Sequence, residues 1–283
     1  MRCTCADKGD LGRHLAGLSA LALLAVACAT SATGRKQLLL MPDDEVRGMG
    51  EQAFVNVKKE SPAAQEPVTN AYVQCVVGAL LQVIGAKASD WEVVVFEDDS
   101  ANAFALPGGK VGVYTGILKV AKNQDQLAAV VGHEIAHVTQ RHGNERVSQA
   151  FVAENGLAAA SAALGGSGKE HDLAMSALGV GAQYGALMPF GRTQESEADA
   201  IGLDYMARAG FDPQGAVALW QNMSEATGEG PPEFLSTHPS HQTRISDIQK
   251  RLPSAVAESE SARAKGDAPH CTSPASPGIA RAD

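Results

Sequence analysis

The segment Val131-Gly132-His133-Glu134-Ile135-Ala136-His137 carries the residue types and spacing most able to do chemistry in this chain. Asn123 reads as a helix N-cap with Gln126 at the capping-box position, and Gly143 reads as the C-cap. Between them Leu127, Ala128, Val130, Val131, Ile135 and Val138 make a wide apolar face. In such a helix His133 and His137, four apart, project from one face and can share a metal ion. Glu134 lies about 100° round the helix from His133, where it can act on an activated water without being a ligand. A zinc hydrolase needs this arrangement of neutral nitrogens, a carboxylate base and an open coordination position. Two histidines and a glutamate are costly to bury in an apolar helix unless a metal or hydrogen-bond partners satisfy them.

A third ligand on the same segment would follow the pattern with Gly at 140 and His at 143, but those positions hold Gln140 and Gly143. A second helix must therefore supply it. Arg192-Thr193-Gln194-Glu195-Ser196-Glu197-Ala198-Asp199 is the best stretch. Glu195 and Asp199 share a helix face, so Glu195 is the expected ligand, and Asp199 can accept the free ring N–H of a ligand histidine. Glu197, on the opposite side, is the alternative ligand; a solvated acidic face is the plain reading of the run. In Thr237-His238-Pro239 the proline restricts His238, which is expected either to donate to an oxyanion or to fill the open metal position in a resting form. A helix-entry histidine is the alternative. Arg244 is expected to bond near the site or to pair with an acid. His142 reads as a cation at a helix C-terminus, while His171, His241, His270 and Tyr184 stay outside the site.

The elements around these residues alternate between two periods. Helices are expected over 43–60, 66–84, 193–209, 213–225 and 240–252, and a strand over 91–96. Residues 103–106 and 110–114 form a hairpin about Pro107-Gly108-Gly109. The fold class is α+β, mostly helical, with a small three-stranded antiparallel sheet beside the metal-binding helix. The first hairpin strand is expected to offer an edge to which an extended substrate adds. The Ala/Gly-rich stretch 156–188 is a candidate cover for the cleft.

Of 283 residues, 45% are hydrophobic and 19% charged, enough for one catalytic domain. A net charge of −9 and only 5% aromatics argue against nucleic acid as a partner. Residues 1–27 read as a signal peptide with Arg2, Lys8 and Arg13 ahead of a short apolar run. Leu24-Ala25-Val26-Ala27-Cys28 resembles a bacterial lipoprotein processing site, which implies lipid on Cys28; a plain signal cut near Ala27 is the other reading. Residues 28–42 are expected to be a tether, 43–252 the catalytic domain, and the Ala/Ser/Pro-rich 253–283 a disordered tail. Cys75 and Cys271 are then left free to pair in an oxidising compartment.

His133-Glu134-x-x-His137 with Glu195-x-x-x-Asp199 resembles the gluzincin metallopeptidases of the HtpX and CAAX-prenyl-protease family, in particular their soluble periplasmic branch of lipoproteins. Asn102-Ala103-Phe104-Ala105, Pro107-Gly108-Gly109, Arg192, Thr237-His238-Pro239 and Arg244 add to the likeness, which covers residues 40–252. The multi-span membrane part of HtpX and the helical-repeat domain of some periplasmic members have no counterpart here. The resemblance implies a zinc endopeptidase with one Zn²⁺ per chain, held by His133, His137 and Glu195, with Glu134 as base and His238 at the oxyanion. Its substrates would be misfolded or misassembled envelope proteins, at the periplasmic face of the outer membrane, with outer-membrane protein assembly components as possible partners. The alternative is a chaperone or assembly factor with a latent zinc site.

Overall fold

The structure is a computed structural model that describes residues 28–163, 190–225, 234, 238 and 242–274. The expected signal peptide, the cover from residue 164 onward and the residues Thr237, Pro239 and His241 lie outside the described residues.

Two helices open the domain, α1 over Asp43–Glu60 and α2 over Pro67–Val83, preceded by two short strands, β1 (Cys28–Thr30) and β2 (Lys36–Leu38). The sheet strands are β3 (Glu92–Phe96), β4 (Ala103–Leu106) and β5 (Lys110–Tyr114). A short α3 (Ile117–Val120) leads to α4 (Gln124–Thr139), which is followed by α5 (His142–Ala163), α6 (Arg192–Arg208), α7 (Gln214–Glu225) and α8 (Gln242–Ala264). The fold is α+β and mostly helical, as expected. Among the described residues no helix is long and apolar enough to cross a membrane.

Helix α4 is the hub. Every residue from Gln126 to His137 is buried, and the helix packs against α2, α6, α7 and β4. Asn123 caps it by accepting the Gln126 N–H at 2.9 Å; the Gln126 side chain takes the N–H of Lys122 rather than that of Asn123. The far end differs from the expected stop at Gly143. Arg141 takes the left-handed conformation (φ 57°) and α5 begins at His142, so Gly143 lies inside α5. That conformation costs a non-glycine residue on the order of 1 kcal/mol, and an ion pair from Arg141 to Asp43 helps to hold the bend.

The sheet has the order β3-β5-β4. β4 and β5 form the expected antiparallel hairpin, whose turn needs the positive φ of Gly108 and Gly109 (89° and 70°). β3, expected to be antiparallel, instead runs parallel to β5. The cause is burial: Val111, Gly112 and Val113 are all buried, so β5 belongs in the centre, and β4 becomes an edge. Phe104 lies directly over Gly112, where a Cβ would come within 2.2 Å of its ring. Phe54, Phe96 and Tyr114 surround that ring, which fixes β4 against α1 and the sheet.

Two stretches expected to lack structure have it. Residues 28–38 are not a loose tether but an antiparallel hairpin docked on the end of α4 and on α5. Its Ala32 N–H donates to Gln140 Oε1 (3.1 Å), Gln37 Nε2 donates to the Gln140 carbonyl (2.7 Å), and Leu40 N–H donates to Ser148 Oγ (2.8 Å). Nor are residues 253–274 of the expected disordered tail without structure. α8 continues through Pro253 to Ala264 and buries Ala255, Ser259 and Ala262. The Ala/Ser composition suggests disorder, but these small residues recur at helical spacing and allow close packing. Beyond α8, Cys271 forms a disulfide with Cys75 of α2, and its N–H donates to Gln124 Oε1 (2.8 Å).

The bridge closes a loop with a sequence separation of 196 residues. Cys271→Ser is expected to lower stability by about 2–5 kcal/mol. Thermal melts should show the same loss for Cys75→Ser and no further loss in the double variant.

Candidate metal centre

The centre depends on how closely α4 and α6 approach. They meet at Gly132 and Gly202, where a Cβ on Gly202 would lie 2.7 Å from the His133 backbone nitrogen and one on Gly132 would lie 3.0 Å from the Gly202 carbonyl oxygen. Glu195 and Asp199 sit two turns and about one turn before Gly202, so they face His133 and His137 across the crossing. Neither glycine stood out in the sequence, although their small size sets the distance between the ligand helices.

His133, His137, Glu195 and His238 each offer a ligand atom, and all four atoms lie within 4.8 Å of one another, fully enclosed. The Nε2 atoms of His133 and His137 are 3.0 Å apart. Glu195 places Oε1 at 3.4 Å from His137 Nε2 and Oε2 at 3.5 Å from His133 Nε2. His238 Nδ1 lies 2.9 Å from Glu195 Oε1 and 3.3 Å from His133 Nε2. Phe234 stacks on the His238 ring at 4.6 Å, and Phe190 stacks at 5.4 Å on the same ring.

This donor set fits a zinc ion. Three imidazole nitrogens and one carboxylate oxygen converge, as tetrahedral zinc requires. Glu134 Oε1 is buried without a hydrogen-bond partner, and Glu195 Oε2 faces only the Arg244 guanidinium, in an ion pair without hydrogen-bond geometry, so both carboxylates keep lone pairs that a cation among the four donors could use. The protonation states point the same way. Burial works against the Glu195 anion, yet His133, His137 and His238 hold its pKa far below the usual carboxylate range. Burial pushes His137 well down, which keeps it neutral. Burial and the Arg244 charge oppose a proton on His133, but its bonds to Asp199 and Glu195 prevail and hold it at about 9.

His133 and His137 are each gripped from behind. His133 Nδ1 lies 3.0 Å from Asp199 Oδ1, the partner the sequence suggested. Arg244 clamps both oxygens of Asp199 (Nε to Oδ2 2.5 Å, Nη2 to Oδ1 2.7 Å), places Nη1 at 2.8 Å from Glu195 Oε2 and stacks on Trp220 at 3.8 Å. Both roles foreseen for Arg244, bonding near the site and pairing with an acid, thus coincide. His137 Nδ1 meets His142 Nδ1 at 2.9 Å. His142 is not a helix-end cation: it is fully buried, and burial lowers its pKa. Its Nε2 meets Glu197 Oε2 at 3.2 Å, so Glu197, the alternative ligand, lies outside the cluster and behind His142. His142 was missed because spacing shows only helix faces, whereas the bend at Arg141 turns His142 back toward α4.

Glu134 is buried beside the four, with Oε1 3.3 Å from His238 Nε2 and Oε2 accepting the Ala105 N–H of β4 at 3.3 Å. Burial raises its pKa. A carboxyl with raised proton affinity, next to an edge strand and a cluster of metal donors, can take up and release a proton during hydrolysis.

Glu197 supports an acid-stability prediction. Burial opposes its charge, but bonds from Ser31, Thr33, Arg35 and His142 hold its pKa at about 2 against 4.5 for a free glutamate. A depressed native pKa stabilises the fold above pH 4.5, and that contribution fades as pH falls toward 2. Glu197→Gln should therefore be less stable than the parent at neutral pH, with the gap closing across that window. Denaturant titrations at several pH values would measure it.

The sequence matches Peptidase family M48 over residues 67–252. It is 37% identical over 222 residues to the mitochondrial metalloendopeptidase OMA1 of Schizosaccharomyces pombe, covering 77% of this chain and 64% of that protein. It is 29% identical over 260 residues to the mitochondrial metalloendopeptidase OMA1 of Bos taurus, covering 85% of this chain and 50% of that one. Against the β-barrel assembly-enhancing protease of Escherichia coli K12 it is 28% identical over 210 residues, covering 72% of this chain and 43% of the relative. The chain thus spans roughly half of these relatives' length.

Proposed function

Because this chain belongs to peptidase family M48, we propose that it is a zinc-dependent endopeptidase that cleaves internal bonds of misfolded or misassembled cell-envelope proteins. The observation that carries this reading is the enclosed cluster of His133, His137, Glu195 and His238 with Glu134 against it. His133, His137 and Glu195 would hold the metal. When bound, zinc makes water acidic and polarises a peptide carbonyl. Glu134 accepts the proton of the attacking water and passes it to the leaving amine. Asp199, clamped by Arg244, accepts from His133 Nδ1 and so favours the tautomer with its lone pair on Nε2, where Arg244 Nη2 also lies 3.1 Å away. β4, an edge strand whose Ala105 N–H reaches Glu134, lets an extended substrate pair by backbone bonds beside the base. Such pairing is tolerant of sequence, which suits a quality-control peptidase. A soluble periplasmic lipoprotein, attached to the outer membrane through Cys28, fits the leader pattern of residues 1–27. The names of the bacterial relatives support an envelope role.

His238 lies within reach as a fourth donor, which supports a resting form in which it would fill the open metal position. A chaperone or assembly role with a rarely opened site draws its support from this same feature. The experiment is proteolysis of casein by the purified chain, with zinc counted, beside His238→Ala. Faster cleavage by His238→Ala at unchanged zinc content is the expected result. A fall of about 10²–10³-fold would instead make His238 an oxyanion donor, and zinc binding without cleavage in either protein would favour the chaperone.

A further inference from the structure

A second polar cluster lies behind His137. It joins α4, α5, α6 and the N-terminal hairpin. Its members are the buried His142, Glu197 and Glu145 and the partly exposed Arg35. Two buried acids held by a half-covered cation and an imidazole are a poor way to gain stability alone, and here the group ends on a proposed metal ligand.

The hydrogen positions follow from chemistry. His137 directs Nε2 at the other ligand atoms, so that nitrogen must carry a lone pair to bind a metal, and the neutral ring keeps its proton on Nδ1. That Nδ1 lies 2.9 Å from His142 Nδ1, a contact that works only with one proton between the two nitrogens. His137 therefore donates and His142 accepts. His142, neutral, then carries its proton on Nε2, which donates to Glu197 Oε2 at 3.2 Å. Glu197 is fixed as an anion by Arg35 Nε at 2.7 Å and by the Thr33 hydroxyl. The two terminal nitrogens of Arg35 grip both oxygens of Glu145 at 2.5 and 2.8 Å, and Gln194 Nε2 donates to the same carboxylate at 2.8 Å. Every donor meets an acceptor: the bonds run from His137 through His142 to Glu197, where Arg35 donates from the other side, and Arg35 also donates to Glu145. The two ligand histidines thus have parallel supports. His133 reaches a carboxylate clamped by Arg244 directly, and His137 reaches one clamped by Arg35 through a second imidazole.

We propose that His142, Glu197 and Arg35 form a relay that orients His137 for the metal, which makes the N-terminal hairpin of residues 28–38 a positioning part of the centre. This rests on the metallopeptidase reading above. Arg35 sits on the connection between β1 and β2, seven residues after Cys28, so the segment that would lead from the membrane also sets the back of the site.

The test uses the full purified chain, zinc titrated against a chelator, and the visible absorption of the cobalt(II)-substituted protein. His142→Leu is expected to weaken zinc binding by about 10–100-fold and to shift the cobalt bands. His142→Gln, which keeps one acceptor and one donor, is expected to recover most of the affinity and the parent spectrum. Arg35→Ala acts through the same chain, so it should weaken binding less, and adding it to His142→Leu should cost nothing further. Thermal melts of the metal-free proteins identify variants that fold; if His142→Leu does not, Arg35→Ala and His142→Gln carry the test. Parent affinity with an unshifted spectrum in His142→Leu would overturn the relay, as would losses that multiply in the double variant. A parent that binds no zinc would sink the metallopeptidase reading itself.

Discussion

Glu134→Gln should bind as much zinc as the parent and cleave unfolded protein about 10²–10⁴-fold more slowly, the range for removing a general base. The separation of binding from turnover follows from position. Glu134 is next to the ligand helix position His133, yet its oxygens face His238 and the Ala105 N–H rather than the ligand atoms of His133 and His137. Glutamine has the same shape, and its carbonyl oxygen can still accept from Ala105. Zinc content and casein cleavage, measured on the same preparations, check this. Equal cleavage by the two proteins would remove Glu134 from the reaction.

The second large effect is expected at the helix crossing. Gly202→Ala should destabilise the chain by about 3 kcal/mol, the upper end for overpacking, and should strip the metal before the fold is lost. The new Cβ would lie 2.7 Å from His133 N and 2.9 Å from both Gly132 C and His133 Cα. All three are backbone atoms, so no side-chain rotation relieves the clash and α6 must move away from α4. That motion carries Glu195 and Asp199 off His133. Gly132→Ala is the graded control: its nearest atom is the Gly202 carbonyl oxygen at 3.0 Å, and the others lie at 3.6 Å. Melting temperature and zinc stoichiometry should rank parent, Gly132→Ala and Gly202→Ala in that order.

Helix α1 lies where helical spacing placed it, and β4 and β5 flank the Pro107-Gly108-Gly109 turn that marked their hairpin. The proposed metal donors were legible for a similar reason: His133 and His137 are one turn apart, and Glu195 and Asp199 are one turn apart. What spacing could not convey was anything made by chain ends or by backbone proximity. The parallel pairing of β3 depends on which strand is buried on both faces, a property of the whole sheet. The hairpin of residues 28–38 earns its place through Arg35, whose partners Glu145 and Glu197 are more than 100 residues away. The end of α8 looked too polar and too rich in small residues to fold, yet small size is what lets Ser259 donate to the Phe211 carbonyl.

The disulfide has a topological consequence. His133, Glu134, His137, Glu195, Asp199, His238 and Arg244 all fall between Cys75 and Cys271, so the whole proposed catalytic apparatus belongs to one covalent ring. A single cut anywhere in that ring, including one the proposed peptidase makes in itself, leaves both fragments joined. A nicked molecule would run as two bands on a denaturing gel with reductant and as one species of full mass without it. Arg35 lies outside the ring, and a cut between β2 and Cys75 would set its hairpin free of any covalent hold on the domain.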